Sequence, residues 1–295
     1  MKIKTNLEGT GVAIVTPFHN YGTIDFSSLE KLLNHVITGG VDFIVALGTT
    51  SEAATLTCDE KDAVMGFVKD TVGGSVPIVM GLGGNNTNSV VGKINKTNFD
   101  GIDAILSVTP YYNKPNQKGI YSHFKNVAAA CPVPVILYNV PGRTASNISA
   151  ETVLQLAHDF ENIVAVKEAS GNMSQVMDIL RQKPEGFKLF SGDDALTFSL
   201  MCLGASGVIS VVANVLPAKF SQMVNLQLQG KSKKALALHY AMLPVITQLF
   251  ADGNPAGVKA ALEIEGIIKN NLRLPMVKAN KAVYFALQKM LQEFQ

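Results

Sequence analysis

The feature that most restricts the fold of this chain is a unit that recurs eight times: a short apolar run, a turn, and then a helical pattern. The runs are V-A-I-V-T-P-F after Gly11, then residues 43–47, 77–80, 104–108 and 134–138, the run ending at Lys167, and residues 187–190 and 207–210. Each is too short for an ordinary helix and apolar on both faces, as a parallel strand covered on two sides must be. Helical spacing follows each run. Residues 25–39 carry Leu29, Leu32, Leu33, Val36 and Ile37 on one face, with Ser27 or Ser28 near the cap. The next helix opens near Asp59 at T-C-D-E, a capping sequence with acid in its first turn. Further helices are expected up to residue 98 and over 117–130, 149–158, 173–181, 195–203 and 219–229.

Eight units at a period of about 28 residues predict an α/β fold, the (β/α)8 TIM barrel of eight parallel strands ringed by helices. An open doubly wound sheet is the competing arrangement. The even continuation through eight units and the lack of G-x-G-x-x-G after the first run weigh against it, and G-L-G-G-N-N at residues 81–86 lacks the lysine of a P-loop and reads as a tight turn. Beyond Gly230 the pattern changes. Residues 234–250, 255–270 and 275–294 are helical segments with no strand between them. The expected division is therefore a barrel over 1–230 and a C-terminal helical appendage over 231–295, suited to an oligomer contact and without chemistry assignable from the sequence.

Composition excludes several classes. With 25 basic and 23 acidic residues in 295 and no Lys/Arg block, no nucleic-acid partner is expected. Three widely spaced cysteines and five dispersed histidines offer neither a disulfide framework nor metal-ligand spacing, so no metal and no cofactor are expected, and a reducing cytoplasm suits the chain. Residues 195–218 hold no charge and are long enough to span a bilayer, but Gly204, Ser206, Gly207, Ser210 and Asn214 interrupt them. They read as helix, turn and strand inside a large core, and no membrane partner is expected.

In a closed barrel the carboxyl ends of all strands meet on one face. Thr49, Thr50, Tyr112, Tyr138, Arg143, Lys167, Gly192 and Ser210 lie at or just beyond such ends. In N-I-V-A-V-K-E-A-S-G (162–171), Lys167 closes a buried run, where an amine either pairs with an anion or loses its proton readily and becomes a nucleophile towards ketones. A strand-end lysine paired with Glu168 is the plainer reading. Alternation points Glu168 away from the barrel interior, towards a structural salt bridge. Tyr138 can relay protons or simply fill the barrel mouth; the paired threonines can hold a carboxylate or form an ordinary loop; Arg143 can fork onto a carboxylate or face solvent.

Together, G-T-T-S-E (48–52), T-P-Y-Y-N-K-P (109–115), Y-N-V-P-G-R-T (138–144), V-K-E-A-S-G (166–171) and S-G-D-D (191–194) resemble the dihydrodipicolinate synthase (4-hydroxy-tetrahydrodipicolinate synthase) family over nearly the whole chain. The resemblance implies condensation of pyruvate with L-aspartate-4-semialdehyde through an imine on Lys167. It implies a proton relay of Tyr138, Thr50 and Tyr112, with Tyr112 crossing from a neighbouring subunit of a homotetramer. Thr49 and Thr50 would bind the pyruvate carboxylate, Arg143 the carboxylate of the semialdehyde, and Gly192 with Val208, Ile209 and Ser210 would wall the pocket. No cofactor is implied. The nearest alternative is a related imine-forming lyase acting on sugar acids, such as N-acetylneuraminate lyase; Arg143 in P-G-R-T favours the semialdehyde. A barrel kept only as a binding or scaffolding protein would be expected to lack part of this constellation.

Two departures from the family pattern stand out. Ser51 occupies the place of a glycine, so the turn after the threonines is expected to differ. Lysine-sensitive relatives carry histidine and glutamate in an inter-subunit pocket, whereas the matching positions here are Cys58, Lys61 and Ser89, beside a fitting Asn85 and Tyr111. Weak or absent inhibition by lysine is expected from that loss of carboxylate.

Overall fold

The computed structural model describes residues 7–294. Its eight strands are β1 (Gly9–Ala13), β2 (Phe43–Ala46), β3 (Ile78–Gly81), β4 (Ala104–Val108), β5 (Val135–Asn139), β6 (Ile163–Glu168), β7 (Lys188–Ser191) and β8 (Gly207–Ser210). All pair in parallel, each with its neighbours in sequence, and β8 closes on β1. The helices of the ring are α1 (Phe26–Thr38), α2 (Cys58–Val72), α3 (Thr87–Lys96), α4 (Gln117–Ala130), the short α5 (Pro141–Thr144), α6 (Ala150–Asp159), α7 (Met173–Gln182), α8 (Thr197–Cys202) and α9 (Pro217–Leu228). Three more follow: α10 (Ser232–Phe250), α11 (Ala256–Ile264) and α12 (Lys281–Gln292). The (β/α)8 barrel with extra C-terminal helices is thus the architecture read from the sequence.

Several element ends differ from the sequence reading, each for a local reason. β1 stops at Ala13 because the chain then bends to set the Thr16 hydroxyl against Ser51 O, 2.8 Å away. The cap of α1 is Asp25, whose carboxylate accepts from both the N–H and the hydroxyl of Ser28. Thr57 and Glu60 form the reciprocal capping box of α2 that T-C-D-E announced. Residues 195–218 fold as short helix, β8 and turns, and no helix among the described residues is long and apolar enough to cross a membrane. In the C-terminal part α11 ends at Ile264, where Gly266 turns left-handed, and α12 begins only at Lys281, capped by Asn280. The chain between them is irregular, which frees Asn271 and Arg273 to reach the barrel: Asn271 Nδ2 donates to Phe18 O, and the Arg273 guanidinium donates to Gly22 O and Thr55 O.

Alternation along the strands divides the apolar residues into two clusters. The larger fills the layer between sheet and helices and runs without interruption into Met242, Leu249, Val258 and Leu287 of the C-terminal helices. The smaller fills the barrel itself with Phe43, Val45, Ile136, Tyr138, Ala165, Phe190 and Ile209, and Phe43 meets Phe190 edge-on at 5.5 Å. This inner cluster is the floor beneath the strand ends.

Closure depends on a close backbone approach. Gly207 has φ +144, and a Cβ added there would lie 1.9 Å from Gly9 O in the facing strand. Gly207→Ala is expected to pry β8 from β1 and to lower stability by about 3 kcal/mol or more. A urea unfolding midpoint equal to the parent's would show that the seam tolerates a side chain.

Candidate active site

β5, β6 and β7 lie side by side in a register that sets Tyr138 opposite Lys167 and Lys167 opposite Phe190. Which face Lys167 takes is decided by an irregularity in β6. Val135 pairs with Ile163 but Ile136 pairs with Ala165, so Val164 is an extra residue in its strand. Ile163 packs outward against the helices and Ala165 inward in the barrel. Strict alternation from Ile163 would aim Lys167 at the helix layer; the bulge reverses the phase and turns it into the barrel.

There Lys167 is 5% exposed, with Nζ 4.5 Å from the centroid of the Tyr138 ring. No carboxylate lies within ion-pair distance of it among the described residues. Gly192, just past β7, leaves the room its aliphatic stem needs: a Cβ there would sit 3.1 Å from Lys167 Cε and 2.7 Å from Ala169 Cβ.

Glu168 points the other way, as alternation required, but its partners are not those expected. In place of a salt bridge it accepts from Asn139 Nδ2, Gln175 Nε2 and the Ser170 N–H at 2.7–3.2 Å. A buried carboxylate can be held by neutral donors when there are enough of them. This amide cage behind β5 and β6 holds the one carboxylate of Lys167's own strand on the opposite face of the sheet.

The threonine loop follows β2. Thr50 is buried and its hydroxyl accepts from Asn254 Nδ2 at 2.9 Å, whereas Thr49 is exposed at the rim. The turn does not require glycine at position 51. Ser51 is buried with an ordinary backbone, and its hydroxyl donates to Ile14 O at 2.6 Å. The left-handed residues of this stretch are Leu47 and Glu52.

Arg143 sits exposed on α5, with Nη2 3.5 Å from Asn254 O. Thr109 caps the far side of β5, its N–H and hydroxyl both donating to Tyr138 O at 3.0 Å. Tyr112 is 88% exposed, held in a left-handed conformation at φ 74, and its N–H donates to Thr144 O. The structure therefore brings Lys167, Tyr138 and Gly192 together, sets Thr50, Thr49 and Arg143 at the same rim, and leaves the Tyr112 ring in solvent. At β8, Ile209 lines the barrel interior while the Val208 side chain packs into the helix layer.

Three roles were not assigned from the sequence, although Asp194 closes the S-G-D-D motif quoted there. Asn254 comes from the C-terminal region, where N-P was read only as the start of a helix. Lys259 of α11 forms an ion pair with Glu52 in which neither side chain is more than 1% exposed. Asp194 is buried behind β8, its Oδ2 accepting from the N–H groups of Val211 and Val212 at 2.9 and 3.2 Å. It fixes the loop that leaves the pocket wall.

Comparisons with known proteins agree with this geometry. The model of the dihydrodipicolinate synthetase family matches residues 6–294. The chain is 50% identical over 288 residues to the 4-hydroxy-tetrahydrodipicolinate synthase of Parabacteroides distasonis, covering 98% of this chain and 97% of that one. Among solved structures it resembles the dihydrodipicolinate synthase of Aquifex aeolicus at TM-score 0.94 and 38% identity, with 98% of each chain covered. It also resembles the chloride-inhibited dihydrodipicolinate synthase of Acinetobacter baumannii complexed with pyruvate, at TM-score 0.94 and 37% identity, over 98% of this chain and 99% of that one.

Asp194 gives the site a pH signature. Burial pushes its pKa up to about 6 from 3.8, against the opposing hydrogen bonds from Ser210, Val211 and Val212. Between those two values the folded chain holds a proton that the unfolded chain has released, so this group's contribution to stability falls as pH rises from about 4 to about 6. Asp194→Asn keeps an acceptor and removes the charge. Across that window the variant's stability is expected to fall less with pH than the parent's, as measured by urea unfolding; parallel curves would contradict the assignment.

Proposed function

From the premise that this chain belongs to the dihydrodipicolinate synthetase family, we propose that Lys167 is the imine-forming residue and that Tyr138, Thr50 and Tyr112 relay its protons. The activity is that of the family: pyruvate condenses with L-aspartate-4-semialdehyde through a lysine Schiff base to give 4-hydroxy-tetrahydrodipicolinate, on the route to diaminopimelate and lysine. The observation that carries the residue assignment is a buried lysine at the barrel mouth, without an acidic partner among the described residues and packed on a tyrosine ring.

The steps follow from the site. The Lys167 amine adds to the ketone carbon of pyruvate, and the carbinolamine loses water to give a protonated imine. Each stage moves a proton between nitrogen and oxygen, which a phenol and a hydroxyl at the pocket supply. The imine draws electrons from the methyl group, which loses a proton and becomes an enamine. That carbon attacks the aldehyde of the semialdehyde. The substrate's own amine then adds to the imine carbon and expels Lys167, closing the ring. Thr49 and Thr50 bind the pyruvate carboxylate at the loop after β2, Arg143 takes the carboxylate of the semialdehyde at the rim, and Gly192 and Ile209 complete the wall, from which the outward-packed side chain of Val208 is absent. Support for pyruvate comes also from the A. baumannii relative solved with it.

Tyr112 supports a homo-oligomer. A phenol facing solvent at 88% exposure relays nothing within its own barrel, and its strained backbone holds it outward. We assign it to the site of a second copy, within a dimer of dimers, and place the protein in the cytoplasm.

Borohydride with pyruvate is expected to inactivate the parent chain and to label Lys167, with no label in Lys167→Ala. Offered aspartate semialdehyde, N-acetylmannosamine and glyceraldehyde, the enzyme should prefer the first. Arg143→Ala should lower kcat/KM for it by about 10- to 100-fold, the value of a charge-assisted contact. Preference for either sugar would assign the chain to the sugar-acid lyases instead. Light scattering should give four chains per particle, and Tyr112→Phe should cut kcat by about a hundredfold with pyruvate still trapped; a fully active monomer would remove Tyr112 from the relay.

A further inference from the structure

The threonine loop is held from the C-terminal helices by buried groups for which the reaction as described has no use. Lys259 is wholly buried on α11. Its ammonium has three partners: the Glu52 carboxylate, Asn271 O at 2.8 Å and the face of the Phe18 ring at 4.2 Å. The other oxygen of Glu52 accepts from the Arg273 N–H at 3.0 Å. Glu52 is two residues beyond Thr50 and has a left-handed backbone, so the carboxylate reaches into the C-terminal layer while the threonine faces the pocket. Five residues before Lys259, Asn254 Nδ2 donates to Thr50 Oγ1, and the backbone oxygen of the same residue lies 3.5 Å from Arg143 Nη2. Asn254 Oδ1 is buried without a hydrogen-bond partner among the described residues, and the bond to Thr50 is the one its side chain makes among them.

We propose that Lys259 and Glu52 are positioning residues of the imine reaction: their ion pair docks the 254–259 segment under the loop so that Asn254 donates to Thr50 and turns that hydroxyl's own hydrogen towards the pocket. A hydroxyl has one hydrogen and accepts through its lone pairs. With one lone pair occupied by Asn254, the hydrogen of Thr50 is kept free to be donated into the pocket and its second lone pair to accept there, so the hydroxyl can both receive and return a proton, as a relay must. The C-terminal helices thereby belong to the catalytic unit. Burial lowers the Lys259 pKa to about 8 even with Glu52 raising it, so the ammonium depends on the carboxylate it holds.

This inference rests on Lys167 forming an imine with pyruvate, so the parent chain and Lys167→Ala are run beside the variants. Asn254→Ala removes the donor without adding charge. Lys259→Met with Glu52→Gln removes both charges and keeps the volume. Each is expected to retain the parent's melting temperature within a few degrees, to form the pyruvate imine at least about tenfold more slowly in single-turnover borohydride trapping, and to keep the pyruvate KM within about threefold. A role in folding alone would lower the melting temperature and leave the rate of the folded fraction unchanged. Asn254→Ala trapping pyruvate at the parent's rate overturns the proposal; the folded double variant doing so overturns the part of Lys259 and Glu52. If the double variant does not fold, Glu52→Asp, which keeps both charges and shortens the reach, is read by the same criteria. A parent chain that borohydride and pyruvate do not label overturns the imine itself, and this inference with it.

Discussion

Closure of the parallel sheet is the constraint on which everything else in this molecule depends. Once β8 pairs with β1, no strand has a free edge, every strand is covered by the inner cluster on one side and helices on the other, and all carboxyl ends open on one rim. Residues as far apart in the chain as Thr50, Tyr138, Lys167 and Gly192 become neighbours by that fact alone. Closure also makes the lysine unusual. At an open sheet edge it would be solvated, whereas here it is buried at the mouth of a barrel filled by Phe43, Phe190 and Ile209, with the nitrogen beside a phenol ring. An apolar floor, with no carboxylate within ion-pair distance among the described residues, is the setting for the imine-forming role proposed for this amine.

The face that Lys167 presents comes from the β6 bulge, and the cage around Glu168 is its complement. Shifting the phase by one residue sends Lys167 inward and Glu168 outward into amide donors from β5 and α7. Had the strand run without Val164 as an extra residue, the two side chains would exchange environments, placing a carboxylate in the pocket and an amine among amides that want an acceptor. One backbone irregularity therefore separates the acid from the base.

Much of this was legible in the sequence. Short apolar runs followed by helical spacing report parallel strands directly, because burial on both faces leaves no room for polar alternation. Eight of them in even succession left few topologies. The strand-end motifs placed Lys167, Tyr138 and the threonines at one rim before any coordinates. What escaped had a physical reason in each case. Val164 resembles the residues on either side of it, so nothing in I-V-A-V marks a bulge. Asp25 rather than Ser27 or Ser28 caps α1 because the carboxylate can take both donors of Ser28 at once. Asn254 and Lys259 touch partners 204 and 207 residues away, a separation at which periodicity carries no information.

The ion pair between Lys259 and Glu52 is hard to explain by stability. Two buried charges lose several kcal/mol of hydration each, and a well-packed apolar pair of the same volume is often as stable or more so. Losing one partner is another matter, since an orphaned buried charge costs about 3–5 kcal/mol out of a total near 5–15 kcal/mol for a domain. What the pair supplies that an apolar contact does not is direction. An apolar contact lets a loop slide by a few tenths of an ångström at little cost, while a carboxylate gripped by an ammonium on one oxygen and a backbone N–H on the other fixes both position and angle. The relay role proposed for the Thr50 hydroxyl calls for that fixity, because proton transfer declines steeply once donor and acceptor leave hydrogen-bond reach. A site built on the loop after β2 alone would have the mobility of a loop; tied to α11 through Glu52 and to Asn254 through its own oxygen, it takes on the rigidity of the helical layer.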